Sequence, residues 1–199
     1  MAAAAVAAPT ESPPTSLANV WLHHPHDEPG LDRWLEYAAA YEAHLPRPDN
    51  KTAISLLEIG VQSGGSALAW KRYYGAPLKY VGIDIDPRCK RTERPGLQIF
   101  VEVGDQLDSA FLRRVCAKHG PFDVAIDDGG HTGRMMRASI RSVLGAGSEC
   151  MRRRAVYAIE DMHTMTRCRE GYCSDPNDIH ALIGSGFFGM HNHWNREVR

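Results

Sequence analysis

Short apolar runs alternate with amphipathic stretches along most of the chain. Five runs read as strands, at residues 54–57, 79–84, 97–103, 121–126 and 155–159. Between them, apolar residues recur at three- and four-residue spacing, which predicts helices, most clearly at residues 66–74 and 108–118. This alternation predicts an α/β fold, with a Rossmann-like, doubly wound and mostly parallel sheet that carries helices on both faces.

The two ends of the chain differ from this pattern. Residues 1–16 are rich in Ala, Pro, Ser and Thr, so we expect a disordered tail at residues 1–20 and a single domain at residues 21–199. At the other end, residues 178–184 are predicted to form a helix and residues 186–193 a sixth strand. No residues then remain for a C-terminal strand 7, which is missing from the predicted fold.

A further amphipathic helix is predicted at residues 31–44, ahead of the first strand. Its aromatic residues Trp34, Tyr37 and Tyr41 are expected in the core. The alternative is that they border a ligand.

Composition narrows the class of protein. The chain has 199 residues, 43% of them hydrophobic and 24% charged, which is ordinary for one globular domain. A formal net charge of −1 gives no general attraction to nucleic acid or an anionic membrane, and we expect neither partner. Five scattered cysteines are typical of free thiols in a reducing compartment. We therefore expect a cytoplasmic protein, with organelle import by the N-terminal tail as the alternative.

The most informative stretch is residues 54–66, ISLLEIGVQSGGS. It predicts a buried strand that turns tightly into a helix, with Glu58 at the strand end and Gly60, Gly64 and Gly65 in the turn. A dinucleotide-binding turn would read G-x-G-x-x-G and bind a pyrophosphate. Here the pattern is E-x-G-x-x-x-G-G, and its carboxylate repels phosphate. S-adenosylmethionine, which has an amino group, a sulfonium and no phosphate, fits such a site.

Other strands also end in polar side chains. Asp84 ends the second strand, where a carboxylate can accept hydrogen bonds from both ribose hydroxyls. Asp105 and Gln106 follow the third strand and are suited to reading an adenine. The alternative for such acids is helix capping, which is the better interpretation for Asp108.

Two acid pairs end the fourth and fifth strands, Asp127-Asp128 and Glu160-Asp161. Because the carboxyl ends of parallel strands meet at one edge, these carboxylates are expected to converge and to need a cation. Oxygen ligands favour Mg²⁺ or Ca²⁺. His131 is expected in the same crevice, where it is a candidate general base for an acceptor hydroxyl.

The runs LEIGVQSGGSALAWKRYYG, VGIDIDPRC, GDQLD, FDVAIDDGGH and IEDMHT resemble the class I S-adenosylmethionine-dependent methyltransferases. Within that class, the resemblance is closest to the metal-dependent sugar O-methyltransferases of macrolide biosynthesis, of the mycinamicin type, and to the related family labelled cephalosporin hydroxylase. It covers roughly residues 34–164.

The resemblance also implies a role for each candidate residue. Glu58 and Gly60 would hold the amino acid end of the cofactor, Asp84 its ribose, Asp105 and Gln106 the adenosine side, and Asp127 would lie beside it. Asp128, Glu160 and Asp161 would bind Mg²⁺, with His131 as the base.

The implied function is a magnesium-assisted O-methyltransferase that acts on a hydroxyl of a small molecule, with a glycosyl group as the first candidate. The alternatives are a hydroxylase or oxidoreductase of the cephalosporin hydroxylase-labelled family, and a non-catalytic S-adenosylmethionine-binding protein. Homo-oligomerisation stays open.

Overall fold

Five parallel strands form a sheet at the centre of the part of the chain that the structure describes. The computed structural model describes residues 16–49, 51–145, 147–162 and 164. The strands, listed in chain order, are β1 (Ile54–Ile59), β2 (Leu78–Asp84), β3 (Ile99–Val103), β4 (Phe122–Asp127) and β5 (Met151–Ile159). In the sheet their order is β3-β2-β1-β4-β5, so the chain starts in the middle and winds outwards in both directions. The predicted Rossmann-like α/β fold is confirmed.

Helices cover both faces of this sheet. They are α1 (Leu17–Leu22), α2 (Glu36–His44), α3 (Gly65–Tyr74), α4 (Ser109–His119) and α5 (Gly133–Leu144), and short 3₁₀ helices span Pro87–Thr92 and Pro95–Leu97. Alternate residues of β1 point to opposite faces. Leu56 packs with α1, α2 and α3 around Trp70, whereas Leu57 packs with α4 and α5. Strands β1, β2 and β4 are therefore buried on both sides, as their apolar runs predict.

Side-chain caps fix the starts of several helices. Ser16, Asp108 and Thr132 each accept a hydrogen bond from a backbone N–H in the first turn of the helix that follows. The capping interpretation of Asp108 is thereby confirmed. Helix α3 begins differently, because its cap is Gly64 in the left-handed region.

Several predicted boundaries differ from the structure. Residues 17–20, assigned to the tail, lie in α1, where Leu17 and Val20 are buried. Helix α2 begins at Glu36 rather than near residue 31, so residues 31–35 form a non-helical lead-in. Strand β3 starts at Ile99, because the preceding segment from Pro95 is a 3₁₀ turn.

Strand β5 starts four residues earlier than expected, at Met151. It includes Arg152, Arg153 and Arg154, whose exposed side chains hid its first half from the apolar pattern. Among the described strands β5 is the outermost on its side of the sheet, and charged side chains are common on outer strands.

The expectation of free cysteines is wrong for one pair. A disulfide joins Cys116 in α4 to Cys150 just before β5, two residues that packing of the helix on the sheet brings together. Cys89 is a buried free thiol. Cys168 and Cys173 lie outside the described residues.

The C-terminal predictions also lie outside the described residues. They are the helix at residues 178–184, the sixth strand at residues 186–193 and the missing strand 7. None of the described helices has the length and apolar character needed to span a membrane.

Candidate active site

A cleft of about 810 Å³ opens at the carboxyl ends of the strands. Eight of the residues singled out in the sequence line it: Gly60, Asp84, Asp105, Gln106, Asp128, His131, Glu160 and Asp161. Gly65 and Trp34 line it as well. Glu58, Gly64 and Asp127 are buried and do not line this cleft. As expected, the parallel topology brings the residues marked by the sequence together at one edge of the sheet.

The glycine-rich turn between β1 and α3 forms one wall. Gly60 has a φ of +98°, and a Cβ there would lie 2.1 Å from the carbonyl oxygen of Asp128. Gly64 has a φ of +96°, and a Cβ would lie 2.3 Å from Oγ1 of Thr92. Both positions therefore require glycine for backbone conformation and for space. The turn packs against the loop after β4 on one side and the 3₁₀ segment after β2 on the other.

Asp84, at the end of β2, is fixed by backbone donors. Its Oδ2 accepts hydrogen bonds from the N–H groups of Val61 and Gln62, both at 2.9 Å, and its Oδ1 accepts one from the N–H of Asp86 at 2.9 Å. Burial raises the pKa of this carboxyl, but the three backbone donors outweigh it, and the pKa lies below its usual range. Asp84 is thus a preoriented carboxylate on the cleft wall.

Gln106 and Asp127 belong to one buried hydrogen-bond network beneath the cleft. Gln106 donates from Nε2 to Oδ1 of Asp127 at 3.3 Å and accepts at Oε1 from the N–H of Gly130 at 2.7 Å. Tyr157 donates to Oδ2 of Asp127 at 3.1 Å. Burial raises the pKa of Asp127, although hydrogen bonds from Ser139 and Tyr157 oppose this. In this structure Asp127 supports the loop after β4, and its contact with a cofactor stays a prediction.

Asp105 occupies a different position from its neighbour Gln106. Its Oδ1 accepts a hydrogen bond from the N–H of Leu107 at 2.8 Å, and the residue remains on the cleft wall. Both residues therefore line the cleft, but only Gln106 also belongs to the buried network with Asp127.

Asp128, His131 and Asp161 come together across the ends of β4 and β5. Each offers one ligand atom, and these atoms all lie within 4.8 Å of one another. The Nε2 of His131 is 3.8 Å from Oδ1 of Asp128. His131 and Asp161 both have positive φ, +56° and +51°. Thr164 links their backbones, donating from Oγ1 to the carbonyl of His131 at 2.9 Å and to that of Asp161 at 2.7 Å.

Arg33 is the residue that sequence reasoning missed. It lies in the lead-in to α2, and its side chain is only 3% exposed. Nη2 donates to Oε1 of Glu58, and Nη1 donates to Oε1 of Glu160 and lies 3.2 Å from Oδ2 of Asp128. Burial lowers the pKa of this guanidinium, but Glu160, Glu58 and Asp128 raise it well above its ordinary value. Arg33 therefore stays charged at the centre of three carboxylates.

The tyrosines before β1 also reach the site. Tyr41 is buried in the core, as expected, and its hydroxyl donates to Oε1 of Glu160. The hydroxyl of Tyr37 donates to Oδ1 of Asp161 at 2.8 Å. Trp34 is half exposed and lines the cleft. The core interpretation thus holds for Tyr41, whereas Trp34 borders the cleft and Tyr37 contacts one of its acids.

The clustered acids make the site strongly electronegative. Burial and the charge of Glu160 raise the pKa of Asp128 to about 8, although Arg33 opposes the shift. Burial likewise raises the pKa of Glu160, against the effect of Arg33 and of the Tyr41 hydroxyl. Shifts of this size are typical of carboxylates that share a site with too little positive charge. The cluster therefore favours a bound cation.

Glu58, the residue before the end of β1, accepts hydrogen bonds at both carboxylate oxygens. Oε1 accepts from Arg33, and Oε2 accepts from the hydroxyls of Ser66, at 2.6 Å, and Tyr80. Its side chain is fully buried. The acid of the E-x-G-x-x-x-G-G pattern therefore acts on the cleft through Arg33 and Ser66, and its direct contact with a cofactor stays a prediction.

Comparison with known proteins extends this picture. No protein-family model matches the sequence. A tetracenomycin 3'-O-methyltransferase of Streptomyces olivaceus, which acts on a 2-methoxy-rhamnosyl compound, is 32% identical over 160 residues, covering 77% of this chain and 38% of the relative. L-olivosyl-oleandolide 3-O-methyltransferase of Streptomyces antibioticus is 35% identical over 161 residues, with the same two coverages.

A solved structure agrees with these relatives. The MycE methyltransferase of the mycinamycin biosynthetic pathway, in complex with Mg, SAH and mycinamycin VI, superposes with a TM-score of 0.68 at 28% identity, over 85% of this chain and 44% of that one. This chain is a relative of the sugar O-methyltransferases. It has the class I methyltransferase fold, and the resemblance predicted from its sequence is confirmed. This chain spans about 38% of the length of these two curated relatives.

Proposed function

We propose that this chain carries an S-adenosylmethionine-dependent O-methyltransferase activity, assisted by Mg²⁺, toward a hydroxyl of a small molecule. A sugar hydroxyl is the first candidate, because the two curated relatives are named as methyltransferases of rhamnosyl and olivosyl compounds. One observation carries the proposal: Asp128, His131 and Asp161 converge on the wall of the same cleft that Asp84 lines. A cofactor subsite and a cation subsite would thus adjoin each other.

The cofactor subsite fits the shape and charge of S-adenosylmethionine. The cleft volume of about 810 Å³ is in the range of small-molecule sites. Asp84 presents a preoriented carboxylate toward the ribose hydroxyls. Gly60 and Gly64 let the turn approach its neighbours closely, and α3 directs its first N–H groups at the same wall. Asp105 and Gln106 would complete the adenosine side.

The cation subsite fits a hard metal ion. Asp128 and Asp161 offer carboxylate oxygens, which Mg²⁺ prefers. The contacts that Arg33 and Tyr41 make with Glu160 all fall on Oε1, so Oε2 is the atom through which Glu160 would join them. When bound, Mg²⁺ lowers the pKa of a hydroxyl that it contacts.

His131 would accept the proton of the acceptor hydroxyl. It lies on the cleft wall, and its backbone is held by Thr164. Asp128 lies within 3.8 Å of Nε2 and would stabilise the imidazolium once the proton is taken. The chain itself therefore supplies orientation of the acceptor and a base, which are the main contributions to a methyl transfer.

The hydroxylase alternative finds less support in this site. A non-haem iron oxygenase typically uses two histidines and one carboxylate. The described cluster offers two aspartates and a single histidine, His131, which our proposal uses as the base rather than as a ligand. We also propose a cytoplasmic location and no nucleic-acid or membrane partner. Homo-oligomerisation stays open.

A methyl-transfer assay tests the proposal. The protein would be incubated with S-adenosylmethionine, Mg²⁺ and a panel of rhamnosyl and olivosyl glycosides, and products read by mass spectrometry. We expect metal-dependent addition of one methyl group, reduced by about 10²-fold or more in His131→Ala and unchanged in His26→Ala, an exposed histidine. Cofactor binding with no transfer to any glycoside would favour the non-catalytic alternative.

A further inference from the structure

Arg33 connects two parts of the cleft that the proposed function assigns to different ligands. Its two terminal nitrogens separate the partners: Nη2 donates to Glu58, whereas Nη1 is shared between Glu160 and Asp128. The guanidinium is nearly fully buried, so solvent screens these ion pairs weakly. The planar guanidinium holds its N–H groups in a fixed fork, so it fixes the relative positions of the different carboxylates that it joins.

On the cofactor side, the connection continues through Glu58. Its other oxygen, Oε2, accepts from the Ser66 hydroxyl at 2.6 Å. Ser66 is the second residue of α3, directly after the glycine-rich turn. A continuous set of polar contacts, Arg33 to Glu58 to Ser66, therefore joins the carboxylate cluster to the turn that would hold the amino acid end of the cofactor.

On the metal side, the connection runs through Asp128. This carboxylate contacts Arg33 through Oδ2 at 3.2 Å and also belongs to the cluster with His131 and Asp161. A divalent cation at the cluster would compete with Nη1 for Asp128 and repel the guanidinium. Arg33 would then be shared between two carboxylates, Glu58 and Glu160, instead of three.

We infer that Arg33 is a positioning residue that couples metal binding to cofactor binding. Release of Asp128 to the metal strengthens the pairing of Arg33 with Glu58, which in turn holds Ser66 and the start of α3 in place for the cofactor. Coupling between two sites is reciprocal, so the cofactor raises the affinity for the metal by the same factor. The inference rests on the proposed function, because it takes both ligands from it.

Two substitutions break this connection at different points. Arg33→Lys keeps the positive charge, but a single ammonium replaces the fork that reaches both Glu58 and the Glu160–Asp128 side. Ser66→Ala keeps the four charged groups, which are Arg33, Glu58, Asp128 and Glu160, and removes only the hydrogen bond from Ser66 to Glu58. Matched controls are Arg72→Lys, which alters the half-exposed pair with Glu28, and Ser109→Ala, an exposed serine at the start of α4.

The test is calorimetric titration of the full 199-residue chain with S-adenosylhomocysteine, with and without Mg²⁺. This ligand has no sulfonium, so direct repulsion by the metal does not obscure the coupling. In the wild type and both controls, we expect Mg²⁺ to tighten its binding by a factor of about 5 or more. In Arg33→Lys and Ser66→Ala the factor should fall below about 2, with cooperative thermal unfolding retained.

The outcomes separate the two proposals. Binding of S-adenosylhomocysteine to the wild type with the same affinity in both conditions would overturn the coupling and leave the proposed function standing. An unchanged factor in Ser66→Ala would also overturn it, even if Arg33→Lys failed to fold. No saturable binding to the folded wild type would contradict the proposed function itself, and the coupling with it.

Discussion

Gly60 and Asp128 are packed so closely that the loops after β1 and β4 form one unit. A Cβ on Gly60 would lie 2.1 Å from the carbonyl oxygen of Asp128, and the φ of Gly60 is +98°. The first loop carries the glycine-rich turn, and the second leads to His131. A side chain added to the first loop at Gly60 would therefore have to displace the second loop at Asp128.

We expect Gly60→Ala to destabilise the protein by about 2 kcal/mol or more, because the strained φ and the clash with backbone add. Thermal or urea unfolding measures the change. Gly96→Ala is the matched control, since a Cβ there meets nothing within 4 Å. Equal stabilities of the two variants would show that the loops are not packed as described.

Tyr37→Phe tests whether the lead-in and α2 support the metal side. The Tyr37 hydroxyl donates to Oδ1 of Asp161 at 2.8 Å, and loss of a hydrogen bond that orients a metal ligand weakens binding by about 10-fold or more. We expect that loss in a Mg²⁺ titration. Tyr74→Phe removes a hydroxyl that donates to Pro46 outside the cleft and should leave Mg²⁺ affinity unchanged. A similar affinity in both variants would count against Asp161 as a ligand.

Asp108→Ala tests the cap of α4. The Asp108 side chain accepts from the N–H groups of Ala110 and Phe111 at 2.8 and 3.0 Å, and loss of such a cap costs about 1 kcal/mol. Ser109→Ala, at the next position, should change the free energy of unfolding by less than about 0.5 kcal/mol. The capping account fails if the two substitutions cost the same.

Glu102 gives a dependence of stability on pH that is independent of the cleft. Its Oε1 lies 2.7 Å from Nζ of Lys118 and from Nε2 of His119. Burial raises the pKa of Glu102, but Lys118 and His119 lower it by more than burial raises it. The resulting pKa is below the ordinary value of 4.5. A folded-state pKa below the unfolded value gives stability that is present above about pH 4.5 and lost as the pH falls through the folded pKa.

The measurement compares urea unfolding of the wild type and Glu102→Gln between about pH 6 and about pH 3. We expect the wild type to be more stable at the upper end and the difference to shrink toward the lower end. Glu149→Gln, an exposed glutamate, should show no such trend. A difference between wild type and Glu102→Gln that stays constant with pH would contradict the description of this ion pair.

Local patterns were sufficient to predict most of the fold. Buried parallel strands are continuous apolar runs, and β1, β2 and β4 follow this rule, so their ends at Glu58, Asp84 and Asp127 were visible in the sequence. Strand β5, the outermost of the described strands on its side, was predicted only in part, because its first half carries exposed arginines. The convergence of acids then followed from topology alone, without any knowledge of side-chain positions.

The charge balance of the site could not be predicted in the same way. Arg33 and Glu160 are separated by 127 positions in the sequence. Arg33 also lies in the non-helical segment before α2, which the apolar pattern predicts to be helical. A single arginine beside an amphipathic stretch usually lies on the solvated surface, so the sequence does not distinguish Arg33 as a site residue, whereas the aromatic Trp34 is a candidate. The disulfide between Cys116 and Cys150 could not be predicted for the same reason, because only the packed fold brings the two thiols together.

The most direct test of this account is calorimetric binding of S-adenosylmethionine to the wild-type chain in the presence of Mg²⁺. We expect saturable binding at one site, weakened by about 10-fold or more in Asp84→Ala, which loses a charged acceptor. Binding should be unchanged in Asp49→Ala, an exposed aspartate that does not line the cleft. A folded wild-type protein that shows no saturable binding would contradict the central claim that this cleft is a methyltransferase cofactor site.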